Sequence, residues 1–211
     1  MSKTVLILGA TGLVGQDLLH LALAHPDIKH VIAPTRQPLN PHSKLENPIV
    51  DFKNLPLNAS WWKCDTVLCA LGTTLSQAGS REAFYTIDHD YVINAALLAK
   101  QAGAKCFVYN SSIGASQNAN SFYLQTKGKV EKSLENLSFT SLYHIRPSLL
   151  SGKNRKKFRL GEFISLIVLR LFKLFIPKKY RVVSTKAVAN TMLLSGLNAK
   201  NGLHVIESDK L

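Results

Sequence analysis

Tyr123 and Lys127 stand four residues apart in the run FYLQTKGKVEKSLENL (122–137), which reads as a helix. Residues at that spacing share one helix face, so the phenol and the ammonium can act together. A phenol alone is a poor proton donor or acceptor near neutral pH, because its pKa is about 10. A nearby ammonium favours the phenolate and brings that value down. Ser111 and Ser112 close the strand-like run CFVYNSS (106–112), shortly before the tyrosine. A serine hydroxyl there can hold a substrate oxygen. Together these groups can move a proton to or from a carbonyl oxygen while a cofactor moves hydride at carbon. A tyrosine and lysine at this spacing also occur by chance in many helices. The alternative is therefore a partly exposed helix face with Lys127 solvated.

Hydride chemistry needs a carrier, and the N-terminal stretch KTVLILGATGLVGQDLL offers a place for one. Gly9, Gly12 and Gly15 follow an apolar strand-like run and open a helix-like one. That is the context of a dinucleotide-binding loop. The first glycine permits a tight turn, the second a close approach to pyrophosphate, and the third close packing of helix on sheet. The helix N-terminus adds free N–H groups and partial positive charge. The spacing is GxxGxxG rather than GxGxxG, and a glycine-rich turn without a ligand is the competing reading. At the end of the second strand stands APTRQP, with Thr35 and Arg36 and no acidic residue. A carboxylate there would repel a 2′-phosphate, whereas a guanidinium can fork onto one. The expected cofactor is thus NADP(H) in preference to NAD(H). Asp51 and Phe52 end the third strand. They could meet the adenine amino group and ring, or Asp51 could be a simple turn residue.

The motifs GATGLVG, SSIGA with YLQTK, and IRPSLLSG resemble those of the short-chain dehydrogenases/reductases in their atypical or extended branch. CALGTT, DHDYV, SSIGA, YLQTKGKVE and IRPSLL in this order resemble the Tat-interacting-protein-like NAD(P)-binding group. The resemblance covers most of the chain from Thr4 to about Leu150, and the remainder more loosely. It implies a Rossmann-type doubly wound α/β fold with Tyr123 as catalytic acid/base. Lys127 would bind the nicotinamide ribose and tune Tyr123, and Ser112 would polarise the carbonyl, with Ser111 as second choice. Gly9, Thr11, Gly12, Leu13, Val14 and Gly15 would cradle the pyrophosphate. Ala70, Leu71 and Gly72 would pass under the adenine ribose. Arg146 and Pro147 belong to the segment that borders the nicotinamide, where Ser148 replaces the usual glycine. The serine-to-tyrosine spacing is slightly shorter than the classical pattern.

Strands alternating with helices must position these groups. Strands are expected at 4–9, 30–35, 48–52, 65–72, 106–112, 141–148 and 202–208. Helices are expected at 16–25, 89–104, 122–137 and 186–198. This order predicts a parallel sheet covered on both faces, with site residues at the carboxyl ends of the strands.

At 211 residues the chain is expected to form one NAD(P)-binding domain over 1–211, with 149–185 as a small substrate-capping lobe. The formal charge of +13 admits nucleic acid, an anionic membrane surface or a phosphorylated ligand as partner. The basic residues gather in 152–159 and 177–181, a local face that argues against nucleic acid. Between them GEFISLIVLRLFKLF (161–175) is apolar almost all round as a helix. It reads as a cap on the cleft, as an apolar substrate pocket or dimer surface, or as a peripheral membrane contact through 153–181. The resemblance favours an apolar small-molecule substrate and a monomer or homodimer. Cys64, Cys69 and Cys106 lack CxxC spacing, which points to buried reduced thiols and no metal centre. With no signal-peptide pattern and no run of about 18 apolar residues, the expected location is cytoplasmic. An NADP(H)-sensing regulatory or scaffold protein remains the alternative to an enzyme.

Overall fold

The computed structural model describes residues 2–151 and 177–211. Seven strands form one sheet in which every pairing is parallel. The chain supplies β1 (Lys3–Leu8), β2 (Ile28–Ile32), β3 (Leu45–Glu46), β4 (Thr66–Cys69), β5 (Cys106–Asn110) and β6 (Ser141–Arg146). A separate parallel ribbon pairs β7 (Leu150–Ser151) with β8 (Val183–Ser184), and β9 (Gly202–Glu207) completes the main sheet. The spatial order is β3-β2-β1-β4-β5-β6-β9. The order reverses between β1 and β4, and a crevice opens there at the carboxyl ends.

Alternate residues of the central strands feed two cores. Leu6, Leu8, Val67, Cys69, Phe107 and Tyr109 face α4 (Tyr91–Gln101) and α5 (Phe122–Asn136). Val5, Ile7, Leu68 and Val108 face α1 (Leu13–Ala24) and the last helix, Thr185–Leu197. A strand buried on both faces must be apolar at nearly every position, which is why these strands read as continuous apolar runs.

Two elements differ from expectation. The third strand is not 48–52. The regular ladder is the short β3, followed by an isolated bridge between Thr35 and Ile49. Asn47 interrupts it: its side chain donates to the Ala33 carbonyl (2.5 Å) and accepts from the Leu39 N–H (2.8 Å). The helix expected from 89 is preceded by α2 (Leu75–Ala78), α3 (Arg81–Tyr85) and a π-helical turn, Thr86–Asp90. Thr74 and Ser80 cap α2 and α3 by accepting from Gln77 N and Ala83 N. The helix expected at 161–175, its basic flank 152–159 and most of the lobe lie outside the described residues. Among the described residues no helix is long and apolar enough to cross a membrane.

Candidate functional site

The crevice begins with the glycine turn after β1. Gly9 has φ +83°, and a Cβ on it would stand 2.6 Å from Leu71 N and 2.7 Å from Ala70 O. A Cβ on Gly15 would stand 1.9 Å from the Gly9 carbonyl oxygen. Gly12 N–H donates back to that oxygen at 3.0 Å. The backbones of β1, the 70–72 loop and α1 therefore touch without side chains between them. Gly12 is the N-cap of α1, with no side-chain cap and no acid in the first turn. Its N–H groups remain available to an anion. Thr11 is exposed, Leu13 half-buried and Val14 buried in the core. This close backbone packing, which leaves no room for a Cβ at Gly9 or Gly15, and the uncapped first turn of α1 fit a dinucleotide pyrophosphate.

The expected adenine side is mixed. Thr35 is buried; its hydroxyl donates to Gln37 O (2.6 Å) and accepts from Asn47 Nδ2 (2.8 Å), so it shapes the turn. Arg36 is exposed and has no ion-pair partner among the described residues. Asp51 accepts from Lys53 N–H (3.0 Å) and from Asn54 Nδ2 (3.4 Å), the pattern of a turn residue. Phe52 is core, stacked on Tyr91 with centroids 6.1 Å apart.

The proton-transfer side lies on α5 and the end of β5. Gly128 lets α5 approach the 116–117 backbone, where a Cβ would stand 2.2 Å from Ser116 C. Tyr123 is half-buried against Phe84 (5.8 Å), and Lys127 Nζ lies 5.9 Å from its ring centroid. Lys127 itself is buried. It donates to Tyr109 Oη at 3.1 Å and stands 3.1 Å from Asp88 Oδ1. Burial works against its ammonium, but Tyr109, Asp88 and Tyr123 outweigh it and hold its pKa well above the ordinary lysine value. Burial raises the Tyr109 phenol, and Lys127 only partly offsets this.

The two serines separate. Ser111 is buried and donates to Glu131 Oε1 at 2.6 Å. Ser112 is half-buried, with only a 3.5 Å contact to the carbonyl of Ile113. Arg146 forks onto Glu131 through Nε (3.0 Å) and Nη2 (2.6 Å), and reaches Glu207 through Nη1 (3.1 Å). Its guanidinium is thus taken up in tying α5, β6 and β9 together. Pro147 is buried, and its carbonyl accepts from Ile113 N–H (2.9 Å), setting the loop after β5. Ser148, at the position of the expected glycine, donates its hydroxyl to Arg181 O, and its N–H donates to Ser208 Oγ at 3.1 Å.

Tyr123, Lys127 and Gly72 thus lie together next to the glycine cradle, and Ser112 follows the carboxyl end of β5. Sequence reasoning missed Asp88, Tyr109 and Glu131. Glu131 is one turn beyond Lys127, and Asp88 is an acid beside the apolar face of a helix; those were the available signals. Among the described residues no cluster of His, Cys, Asp or Glu could hold a metal ion.

Residues 9–193 match a family model described as NAD(P)H-binding. Protein HTATIP2 of Rattus norvegicus is 36% identical over 169 residues, covering 78% of this chain and 69% of that protein. Protein FMP52, mitochondrial, of Candida albicans is 34% identical over 166 residues, covering 75% of this chain and 72% of that protein. Among solved structures, MoeE5 in complex with UDP-glucose and NAD superposes with a TM-score of 0.72 at 19% identity, over 96% of this chain and 74% of that one. The UDP-glucose 4-epimerase of Thermotoga maritima with UDP-glucose gives a TM-score of 0.71 at 13% identity, over 98% of this chain and 77% of that one. At such identities the likeness is one of fold.

Proposed function

Because the chain belongs to the NAD(P)H-binding family, as an atypical short-chain dehydrogenase/reductase resembling the HTATIP2 group, we propose that it is an NADP(H)-dependent oxidoreductase acting on an apolar carbonyl or alcohol. The observation that carries this reading is the placing of Tyr123 and Lys127 beside Gly72, in the loop that meets the glycine cradle. Bound there, a nicotinamide supplies or accepts hydride. The backbone of residues 9–15 binds the pyrophosphate, and Arg36 takes the 2′-phosphate. Ser112 donates a hydrogen bond to the carbonyl oxygen. Tyr123 gives that oxygen its hydroxyl proton, and the Lys127 charge stabilises the phenolate left behind. Each of these contacts strengthens where water is excluded.

The test is NADPH oxidation against a panel of apolar aldehydes and ketones. Tyr123→Phe should lose at least about 100-fold in turnover, the usual worth of a positioned acid. Equal turnover by the two proteins would remove Tyr123 from the mechanism. A second reading, a cofactor sensor with little turnover, is favoured by one contact: Lys127 is committed to Asp88 and Tyr109 rather than to the Tyr123 hydroxyl. NADPH binding without oxidation of any panel member would support it.

A further inference from the structure

Asp88 plays no part in the proton transfer just described, yet it is the most enclosed charged side chain of the site. It is 0% exposed and lies on the π-helical turn between α3 and α4. Single π-turns are found often at functional sites. The turn is fastened to α5 by His89, whose Nε2 is 3.1 Å from Ser133 Oγ and whose ring stacks on Tyr85 at 4.6 Å. The two oxygens of Asp88 do different things. Oδ2 accepts from the Thr73 N–H at 2.7 Å and so fixes the loop that follows β4. Oδ1 lies 3.1 Å from Lys127 Nζ, at ion-pair distance but off the direction of a hydrogen bond. A Cβ on Gly72 would stand 3.0 Å from Oδ1 and 3.5 Å from Lys127 Nζ, so this pair borders the backbone beside the cofactor cradle.

A buried ammonium is costly unless it is paired. Lys127 meets Tyr109 from β5, Cys69 from β4 and Tyr123 from its own helix, none of them a carboxylate. Glu131, one turn further along α5, is taken up by Ser111 and Arg146. Asp88 is the one carboxylate at ion-pair distance from Lys127 among the described residues.

We propose that Asp88 is a positioning residue of this site: its carboxylate keeps the buried Lys127 charged and, through Thr73, locks that cation to the loop beside the cofactor. The inference rests on the oxidoreductase reading for what Lys127 does there, but not for its charge.

Asp88→Asn keeps an acceptor for Thr73 N–H and removes the charge. Lys127 left unpaired has its folded-state pKa pushed below the unfolded value, so the folded protein binds fewer protons and stability rises with pH. The Tm deficit of Asp88→Asn relative to wild type should therefore be largest at pH 6 and narrow by about 5 °C toward pH 9.5. Asp88→Asn with Lys127→Met, which removes both charges, should show no such narrowing. NADPH affinity, read by fluorescence, should be flat for wild type from pH 7 to 9.5. For Asp88→Asn it should weaken about tenfold over that range as Lys127 loses its proton. A single variant that fails to fold while the double variant folds supports the proposal. A pH-independent deficit overturns it, as does loss of folding in both variants. If wild type binds no NADPH, the oxidoreductase reading fails, while the melting comparison still decides whether Asp88 holds the Lys127 charge.

Discussion

Neighbouring serines with one sequence signature have different physical roles. Ser111, just after β5, donates a hydrogen bond from Oγ to a buried carboxylate oxygen of Glu131 at 2.6 Å. Removing it leaves Glu131 held, among the described residues, by Arg146. Ser111→Ala should cost about 1–3 kcal/mol, the worth of a lost donor to a buried charged group, read as a lower denaturant midpoint. Ser112 makes no comparable bond, so Ser112→Ala should stay within about 0.5 kcal/mol of wild type while turnover falls. Equal stability losses in the two variants would refute this division. Arg36 is the other residue whose setting predicts its effect. It is exposed with no carboxylate paired to it among the described residues, so its charge is available to a phosphate. Arg36→Asp should reduce the NADPH-over-NADH affinity ratio at least about tenfold, since one charge-assisted contact is lost and a repulsion added. An unchanged ratio would mean that Arg36 is only a solvated loop residue.

Glycines separate cofactor geometry from backbone strain at the level of the elements. In Gly15→Ala the new methyl carbon would lie 1.9 Å from a backbone carbonyl oxygen, so α1 must move off β1. That should cost about 1–3 kcal/mol and abolish NADPH binding. Gly103 ends α4 at φ +101° with nothing within 4 Å of a Cβ, so Gly103→Ala carries strain alone. It should cost about 1–2 kcal/mol and leave NADPH affinity unchanged. Comparable affinity loss in both variants would mean the cradle is not where the cofactor sits. The same elements show what a sequence can display. β1, β4, β5 and β6 were legible because burial on both faces leaves only apolar residues to choose from. The glycine turn, Tyr123 and Lys127 were legible because spacing along one element fixes their geometry. β3 was not, because an asparagine side chain substitutes for backbone in the ladder, and no periodicity records that. Asp88 was not, because its partner is 39 positions away on another helix, and only the packing of the π-turn on α5 brings the two together. Arg146 was legible as a conspicuous residue but not as an ion-pair partner, since Glu131 and Glu207 reach it through the fold.

Across the whole molecule, the three cysteines tie stability to alkaline pH. All three are buried and unpaired, on or just before strands β4 and β5. Burial pushes the Cys64 thiol up to about 12, with the Asp65 carboxylate adding to it. Burial likewise raises Cys69 to about 12 and Cys106 to about 11. A folded-state value above the unfolded one, near 8.5, means that the folded chain retains protons the unfolded chain releases. Their contribution is therefore complete below about pH 8 and declines as pH rises toward those folded values. Tyr109, raised by burial, acts in the same direction at still higher pH. The melting temperature should thus hold steady to about pH 8 and fall progressively between pH 9 and 11. Cys69→Ala should shallow that fall, because one of the three shifted thiols is gone, and should lower the neutral-pH melting temperature slightly by leaving a small void. Thiol reactivity gives an independent reading. With so little thiolate in the folded protein, a disulfide reagent at pH 8 should label all three cysteines only as fast as the chain opens, and NADPH should slow that labelling by stabilising the closed form. Rapid labelling of any cysteine in the native protein would show that the two cores packed on β4 and β5 are not closed to solvent.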